Sequence, residues 1–291
     1  MNISKGEKIF GVINIGLMLF IIVVCVYPIV YVLFASLSSS DLLMAHRGIL
    51  VKPLGASLDA YIKVFHDPLI LTGYMNTLTV VFFGVILNMI MTILGAYFLS
   101  RKNVQWQKPI FLMIIFTMYF SGGLVPFYLT VKSLGFEDTL LALIVPTAVN
   151  TFNLIIMRTG FYSIPDSLEE SAMIDGANHF TILLKVCIPL IKPIIAVIVL
   201  YYAVERWNAW FYASIFLNDA RKYPLQLILR QILISNDTNS MTGNVGTGDI
   251  QSVAETIKYA VIVVATLPIL CLYPFLQKYF VQGVLVGAVK G

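Results

Sequence analysis

Residues 68–100 read PLILTGYMNTLTVVFFGVILNMIMTILGAYFLS, a run of 33 positions without Asp, Glu, Lys or Arg. At about 1.5 Å per residue this run makes a helix about 50 Å long, and about 20 residues already cross the hydrocarbon core of a bilayer. Outward from it, residues 9–40, 109–131, 139–157 and 259–277 are also free of charge, and 193–218 is interrupted only by Glu205 and Arg206. The pattern predicts an all-α membrane protein with one transmembrane domain over residues 1–291. Six membrane helices are expected, near 10–35, 71–99, 109–131, 139–159, 189–216 and 256–278. Of the 291 residues, 59% are apolar and 12% charged, which excludes an ordinary soluble domain. The formal net charge of +4 is no sign of nucleic acid, because cations in such a chain mark loops and helix ends.

Lys5 and Lys8 precede an apolar run too long for the core of a cleaved signal, so the N-terminus reads as an uncleaved first helix. The tight loop 100–108 holds Arg101, Lys102 and Lys108 without an acid, whereas 132–138 sets Lys132 against Glu137 and Asp138. Short basic loops face the cytoplasm, which predicts cytoplasmic termini and a cytoplasmic loop at 160–188. Cys25, Cys187 and Cys271 are widely spaced in or beside apolar runs and read as packing residues. His46, His66 and His179 have no paired ligand spacing, so a metal site is not expected.

The loop 160–188 carries the strongest signal. It contains Ser163-Ile164-Pro165-Asp166-Ser167-Leu168-Glu169-Glu170-Ser171-Ala172-Met173-Ile174-Asp175-Gly176-Ala177. Ser167 with Glu170 three residues on has capping-box spacing, acids cluster where a helix N-terminus favours them, and Gly176 is placed to end the helix. Leu168, Ala172 and Met173 form the expected anchored side; Glu169, Glu170 and Asp175 form the side offered outward. On the residues alone, the segment is either a surface tie between two membrane helices or a docking element.

Glu205 and Arg206 lie about 24 Å along their helix from Pro189, at about 1.5 Å per residue. Charges inside a span suggest a functional site, and Trp207, Asn208, Trp210 and Tyr212 surround the pair with aromatic faces and an amide. Two readings stand: the pair neutralises itself beneath an interfacial tryptophan belt, or Arg206 and Asn208 face a translocation cavity. Asn76, Asn88, Thr92, Asn150 and Asn153 either line a path or hydrogen-bond between helices, and the second is the expectation.

The run Glu169-Glu170-Ser171-Ala172, then Asp175-Gly176-Ala177 and Ile188-Pro189-Leu190, resembles the Glu-Ala-Ala loop of permease subunits of ATP-binding-cassette importers. Ser171 stands where that family usually has Ala, and Ile188-Pro189-Leu190 approximates its Ile-x-Leu-Pro ending. Asn76-Thr77, Trp207-Asn208, Lys222-Tyr223-Pro224-Leu225-Gln226, and the tail Gln277 to Gly283 with Gly287 to Gly291 are similar to the carbohydrate branch, in particular the Gram-positive subgroup linked to complex, often uronate-containing, oligosaccharides.

The resemblance implies a type I importer permease (MetI-like) fold in a bacterial inner membrane, surrounded by lipid, and no enzymatic activity in this chain. It implies a second permease subunit, a cytoplasmic ATPase dimer that uses ATP and Mg, an extracellular sugar-binding lipoprotein or periplasmic binding protein, and an oligosaccharide substrate. It assigns ATPase coupling to Glu169, Glu170, Ala172, Asp175, Gly176 and Ala177, with Glu170 meeting a basic residue of the ATPase. The substrate pathway is assigned to Glu205, Arg206, Trp207 and Asn208. Residues 236–249 are the expected contact with the binding protein. The glycine-rich Thr242 to Asp249 lacks the Gly-Lys-Ser/Thr ending of a nucleotide loop. An ion-coupled secondary transporter is the competing reading, but it needs intramembrane carboxylates in two matching halves, and Glu205 is the one acid deep in a span. An intramembrane enzyme has no recognisable catalytic set here.

Overall fold

The computed structural model of the chain describes residues 5–241 and 256–271, and all regular structure within them is helical. The first charge-free run forms α1 (Lys5–Ser36), followed by two short helices, α2 (Ser40–Ala45) and α3 (Asp59–His66). The run 68–100 forms α4 (Pro68–Ser100) without a break. Then come α5 (Gln107–Tyr119), α6 (Leu124–Ser133), α7 (Leu141–Ile144), α8 (Thr151–Tyr162) and α9 (Asp166–Ile174). α10 (His179–Ile182) runs through a wide π turn at Leu183–Cys187 into α11 (Ile188–Leu190) and α12 (Lys192–Trp207). α13 (Phe211–Phe216), α14 (Leu225–Met241) and α15 (Thr256–Cys271) follow. The tail motif from Gln277, the stretch 242–249 and the end of the expected sixth helix, 272–278, lie outside the described residues.

Among the described residues, only α1 and α4 are long and apolar enough to cross a membrane alone. The expected third helix, 109–131, is instead α5 and α6, which meet at 115°. Ser121-Gly122-Gly123 interrupts it, and Gly123 holds a φ of 89° that ordinary residues rarely adopt. The expected fourth helix, 139–159, is split into α7 and α8. Pro146 provides no amide for the helical ladder, and α8 restarts at Asn150, whose side chain accepts from the amides of Phe152 (3.0 Å) and Asn153 (3.3 Å). The expected fifth helix, 189–216, begins at Lys192 and stops at Trp207. His179–Leu190 and Lys192–Trp207 are bent by 86°, with Pro193 in the first turn after the corner.

The chain divides into two compact units, residues 1–68 with 229–267, and 69–228 with 268–291. In the first, Ala35, Leu43 and Leu50 are buried with Tyr31, Phe34 and Tyr259, and the Tyr27 hydroxyl accepts from the Leu50 amide at 3.0 Å. The apolar side chains of α1 from Ile9 to Ile29 are otherwise largely exposed, as befits a helix set in lipid or against another subunit. In the second unit, Met89, Ala96 and Leu99 of α4 pack with Leu154, Met157 and Phe161 of α8 and Ile198 and Tyr202 of α12. Gly160 permits the close approach of α8 to α12: a Cβ there would stand 2.7 Å from Ile194 Cδ1.

Two motifs far apart in sequence meet in this unit. Asn76 Nδ2 donates to the carbonyls of Arg221 (2.8 Å) and Tyr223 (3.2 Å), and Thr77 Oγ1 accepts from the Leu225 amide at 2.9 Å. Nearby, Asp138 adopts a φ of 54° and organises the chain after α13. Its Oδ1 accepts from the amides of Asn218 (3.0 Å) and Asp219 (3.2 Å), and Lys222 Nζ donates to its Oδ2 at 2.5 Å. The Lys222 ammonium and the two amides hold its carboxyl down at about 2.

Candidate functional site

The first site is built where α9 meets the end of α4. Pro165 is the N-cap of α9, with φ −60° and ψ 132°, and supplies no capping side chain. Ser167 therefore lies inside the first turn, and the capping box expected from its spacing with Glu170 does not form. The C-terminus ends as its sequence predicts. Gly176 has a φ of 80°, the Ala177 amide donates to the Ala172 carbonyl (2.9 Å) and the Gly176 amide to that of Met173 (3.0 Å). This is a Schellman closure, which needs a residue tolerant of positive φ. No atom lies within 4 Å of where a Gly176 Cβ would stand, so the requirement within this chain is conformational.

The faces of α9 differ from the expected division. Leu168 and Met173, expected to be anchored, are each 44% exposed, and Ile174 is 86% exposed. Glu169, expected to face outward, is 7% exposed and ion-paired with Arg101, and Cys187 Sγ donates to its Oε1 at 3.6 Å. Glu169 and Ala172 share one side at a spacing of three. Ala172 and Ala177 rest on the core, whereas Glu170 and Asp175 are exposed as expected. Around the Arg101–Glu169 pair lies an open cavity of about 560 Å³, lined by Lys102, Asp166, Glu170, Met173 and His179 among others. Lys102 and Asp166 form a second ion pair at 2.5 Å, but both are solvated, so it contributes little.

The second site surrounds Arg206. Glu205 and Arg206 do not pair with each other. Arg206 is 6% exposed and turned toward the break between α7 and α8. Its Nη1 donates to the Leu143 carbonyl and to Thr147 Oγ1 (2.6 Å); its Nη2 donates to Asn88 Oδ1 (3.0 Å) and to the carbonyls of Ile144 (3.3 Å) and Thr147 (2.7 Å). The guanidinium thus satisfies carbonyls that the interrupted helix leaves open. Gly84 makes room for it: a Cβ there would lie 3.2 Å from Arg206 Nε.

Glu205 is exposed and accepts from Asn150 Nδ2 at 3.4 Å. The Asn150 amide donates to the Tyr202 hydroxyl at 3.1 Å, and that hydroxyl is 2.7 Å from Thr92 Oγ1. Asn88 and Thr92 accordingly bond between helices as expected. Trp207, assigned to the pathway, is buried edge-on to Tyr74, with ring centroids 6.2 Å apart, and does not line the adjoining cavity. That cavity, of about 240 Å³, is walled by Glu205, Arg206, Asn208, Trp210 and Tyr212 with Thr147. Arg206 shapes its wall, and Glu205 and Asn208 are its exposed polar groups. Asn208 Nδ2 donates to the Val204 carbonyl at 2.9 Å.

Sequence reading missed Arg101 as a site residue, because its position just after a charge-free run registered only as a topology signal. It also missed Asp138 and Thr147, whose partners are too remote in sequence to be paired by pattern.

A family model described as the binding-protein-dependent transport system inner membrane component matches residues 6–286. The polygalacturonan/rhamnogalacturonan transport system permease protein YtcP of Bacillus subtilis (strain 168) is 43% identical over 286 residues, covering 98% of this chain and 99% of that protein. Protein LplC of the same organism is 40% identical over 291 residues, covering 100% and 98%. A crystal structure of a bacterial ABC transporter involved in import of the acidic polysaccharide alginate contains a chain that superposes with a TM-score of 0.87 at 36% identity, over 96% of this chain and 99% of that one.

Proposed function

Because this chain belongs to the family of binding-protein-dependent transport system inner membrane components, we propose that it forms part of the membrane pathway of an ATP-driven importer of acidic, uronate-containing oligosaccharides. It is a multi-pass permease subunit, a transport component and not an enzyme. A binding protein, an ATPase and a partner permease belong with such a subunit in general. The finer reading is a second six-helix permease, a cytoplasmic ATPase dimer that holds ATP and Mg, and an extracellular sugar-binding lipoprotein or periplasmic protein. Family membership sets the ion-coupled secondary transporter aside.

The observation that carries the substrate class is the likeness, along nearly the whole chain, to a permease named for polygalacturonan and rhamnogalacturonan and to a transporter described for alginate. The cavity beside Arg206 fits a sugar in kind, with aromatic faces from Trp210 and Tyr212 and polar groups from Asn208 and Glu205.

For coupling, α9 lies in the cytoplasm with the chain termini and docks on the ATPase. Glu170 offers a charge, and Leu168, Met173 and Ile174 offer apolar surface that docking covers. Gly176 and Asp175 close the helix at the edge of that surface. The test is uptake by the reconstituted four-component importer, comparing galacturonate oligosaccharides with neutral maltooligosaccharides. ATP-dependent uptake of the acidic sugars alone supports the reading; equal uptake of both removes the acidic substrate class. Uptake driven by an ion gradient without ATPase removes the importer assignment.

A further inference from the structure

On the reading that α9 docks on the ATPase, the buried side of the same helix becomes the place where its movement enters the membrane domain. That side is sparse. Among its residues Ala172 meets the core, and an alanine buries too little apolar surface to hold a helix firmly. The strong contact there is the ion pair between Glu169 and Arg101. Both partners are held from several directions. Cys187 Sγ donates to Glu169. The Arg101 guanidinium lies 4.3 Å from the centre of the Tyr97 ring and donates to Ser100 Oγ through Nε (3.2 Å) and Nη2 (3.0 Å).

Arg101 is the first residue after α4, where a cation suits the negative end of the helix. α4 is also the charge-free run in this unit that stays unbroken; α5 and α6, α7 and α8, and α11 and α12 are all interrupted. Its last turn is clamped, because the Leu99 carbonyl accepts from both Arg158 Nε (2.8 Å) and Gln107 Nε2. A push on Glu169 is therefore passed to an unbroken helix whose last turn is tied to α5 and α8.

We propose that Arg101 and Glu169 are positioning residues that join the coupling helix α9 to the long helix α4, so that displacement of α9 by the ATPase moves α4 through this pair. Glu169 is then a linkage residue and not a docking residue, in contrast to its neighbour Glu170. Removing one partner leaves a buried charge uncompensated and slackens the joint.

The experiment uses the assembled importer in proteoliposomes, with partner permease, ATPase and binding protein, and a radiolabelled galacturonate oligosaccharide as probe. Arg101→Met, Glu169→Gln, the reversed pair R101E/E169R and the docking variant Glu170→Ala are compared for ATPase retained in the complex and for sugar moved per ATP hydrolysed. Arg101→Met and Glu169→Gln are expected to retain the ATPase but to move about tenfold less sugar per ATP, within the usual range of a coupling free energy. The reversed pair should recover part of that ratio. If Arg101→Met does not reach the membrane, Glu169→Gln keeps the shape of the side chain and carries the same expectation.

A normal ratio in either single variant, beside a Glu170→Ala that loses the ATPase, overturns the linkage alone. So does loss of the ATPase from Arg101→Met to the extent seen in Glu170→Ala. Full ATPase retention and coupling in Glu170→Ala removes the docking reading, and the linkage with it.

Discussion

Arg206 Nη2 donates to the carbonyl oxygen of Thr147 at 2.7 Å, across 59 residues of sequence and at the point where the expected fourth membrane helix is broken. The same guanidinium reaches the carbonyls of Leu143 and Ile144, so one side chain stands in for the amides that the break, with Pro146 inside it, withdraws from the helical ladder. A buried cation at this depth is held by backbone dipoles and by Asn88, with no carboxylate among its hydrogen-bond partners.

Arg206→Met should destabilise the purified subunit. It leaves the carbonyls of Leu143 and Ile144 without the guanidinium, and that of Thr147 with Asn88 Nδ2 alone at 3.5 Å, and each buried unsatisfied group costs about 1–3 kcal/mol. Gly84→Val should act in the same direction by crowding the guanidinium, whereas Gly84→Ala leaves contact at 3.2 Å and should be milder. Thermal unfolding in detergent, followed by tryptophan fluorescence, checks the order: Arg206→Met and Gly84→Val below Gly84→Ala, with Gly84→Ala near wild type. An unchanged melting temperature in Arg206→Met would show that the segment 145–150 does not depend on it.

Thr77 is fully buried, and its hydroxyl is the acceptor for the Leu225 amide. Thr77→Val keeps the shape but orphans that amide, at a cost of about 1–3 kcal/mol. Thr77→Ser keeps the acceptor and should lie much closer to wild type. Hydrogen exchange at residues 223–228 is the measurement, with faster exchange in the valine variant and little change in the serine one.

Asp138 has its carboxyl held at about 2 by Lys222 and the amides of Asn218 and Asp219. Its folded value lies below the ordinary 3.8, so its stabilising contribution is complete above about 3.8 and is lost as pH falls toward 2. The melting temperature of wild type should therefore exceed that of Asp138→Ala by a constant margin from pH 7 to about 4, and the margin should close below that. Asp138→Asn should keep part of the margin, because an amide oxygen still accepts and asparagine tolerates the positive φ. A margin that persists undiminished at pH 2.5 would exclude the carboxylate as its source.

Gly176→Ala forces a β-carbon into a φ of 80°, which costs about 1–2 kcal/mol and should fray the last turn of α9. Asn is the better tolerated substitute. On the proposed docking of α9, Gly176→Ala should weaken capture of the ATPase more than Gly176→Asn does, measured by pull-down from gently solubilised membranes.

Much of the architecture was legible from charge alone. Lipid excludes charge from long stretches whatever the neighbours are, so the run at 68–100 appears as α4 to the residue, and the run at 9–40 as α1, which starts and ends four residues earlier. The interruptions were not legible from hydropathy, because Ser121-Gly122-Gly123 and Pro146 lie within runs whose average stays apolar; backbone geometry breaks them and composition does not register it.

The site divided in the same way. The end of α9 at Gly176 could be read, because a glycine after a short acidic helix has a local backbone reason. Its start could be read from the acids of the first turn, but its cap could not, since Pro165 and not Ser167 stands at the N-cap. Glu169 and Glu170 are adjacent acids with the same local pattern, and nothing within a few residues tells them apart.

What the sequence by itself determined was the solvent: a helical chain in lipid, with a short acidic helix between two apolar spans. Those features follow from hydration and local backbone preference, which act on each segment separately. What only the tertiary structure decided was the use of each buried charge. Glu169 turns inward because Arg101 is there, and Arg206 turns from Glu205 to the carbonyls of 143–147 because α7 and α8 leave them open. A buried charge is tolerated only where distant parts of the fold bring it a partner, so its role is set by contacts between segments that no local pattern contains.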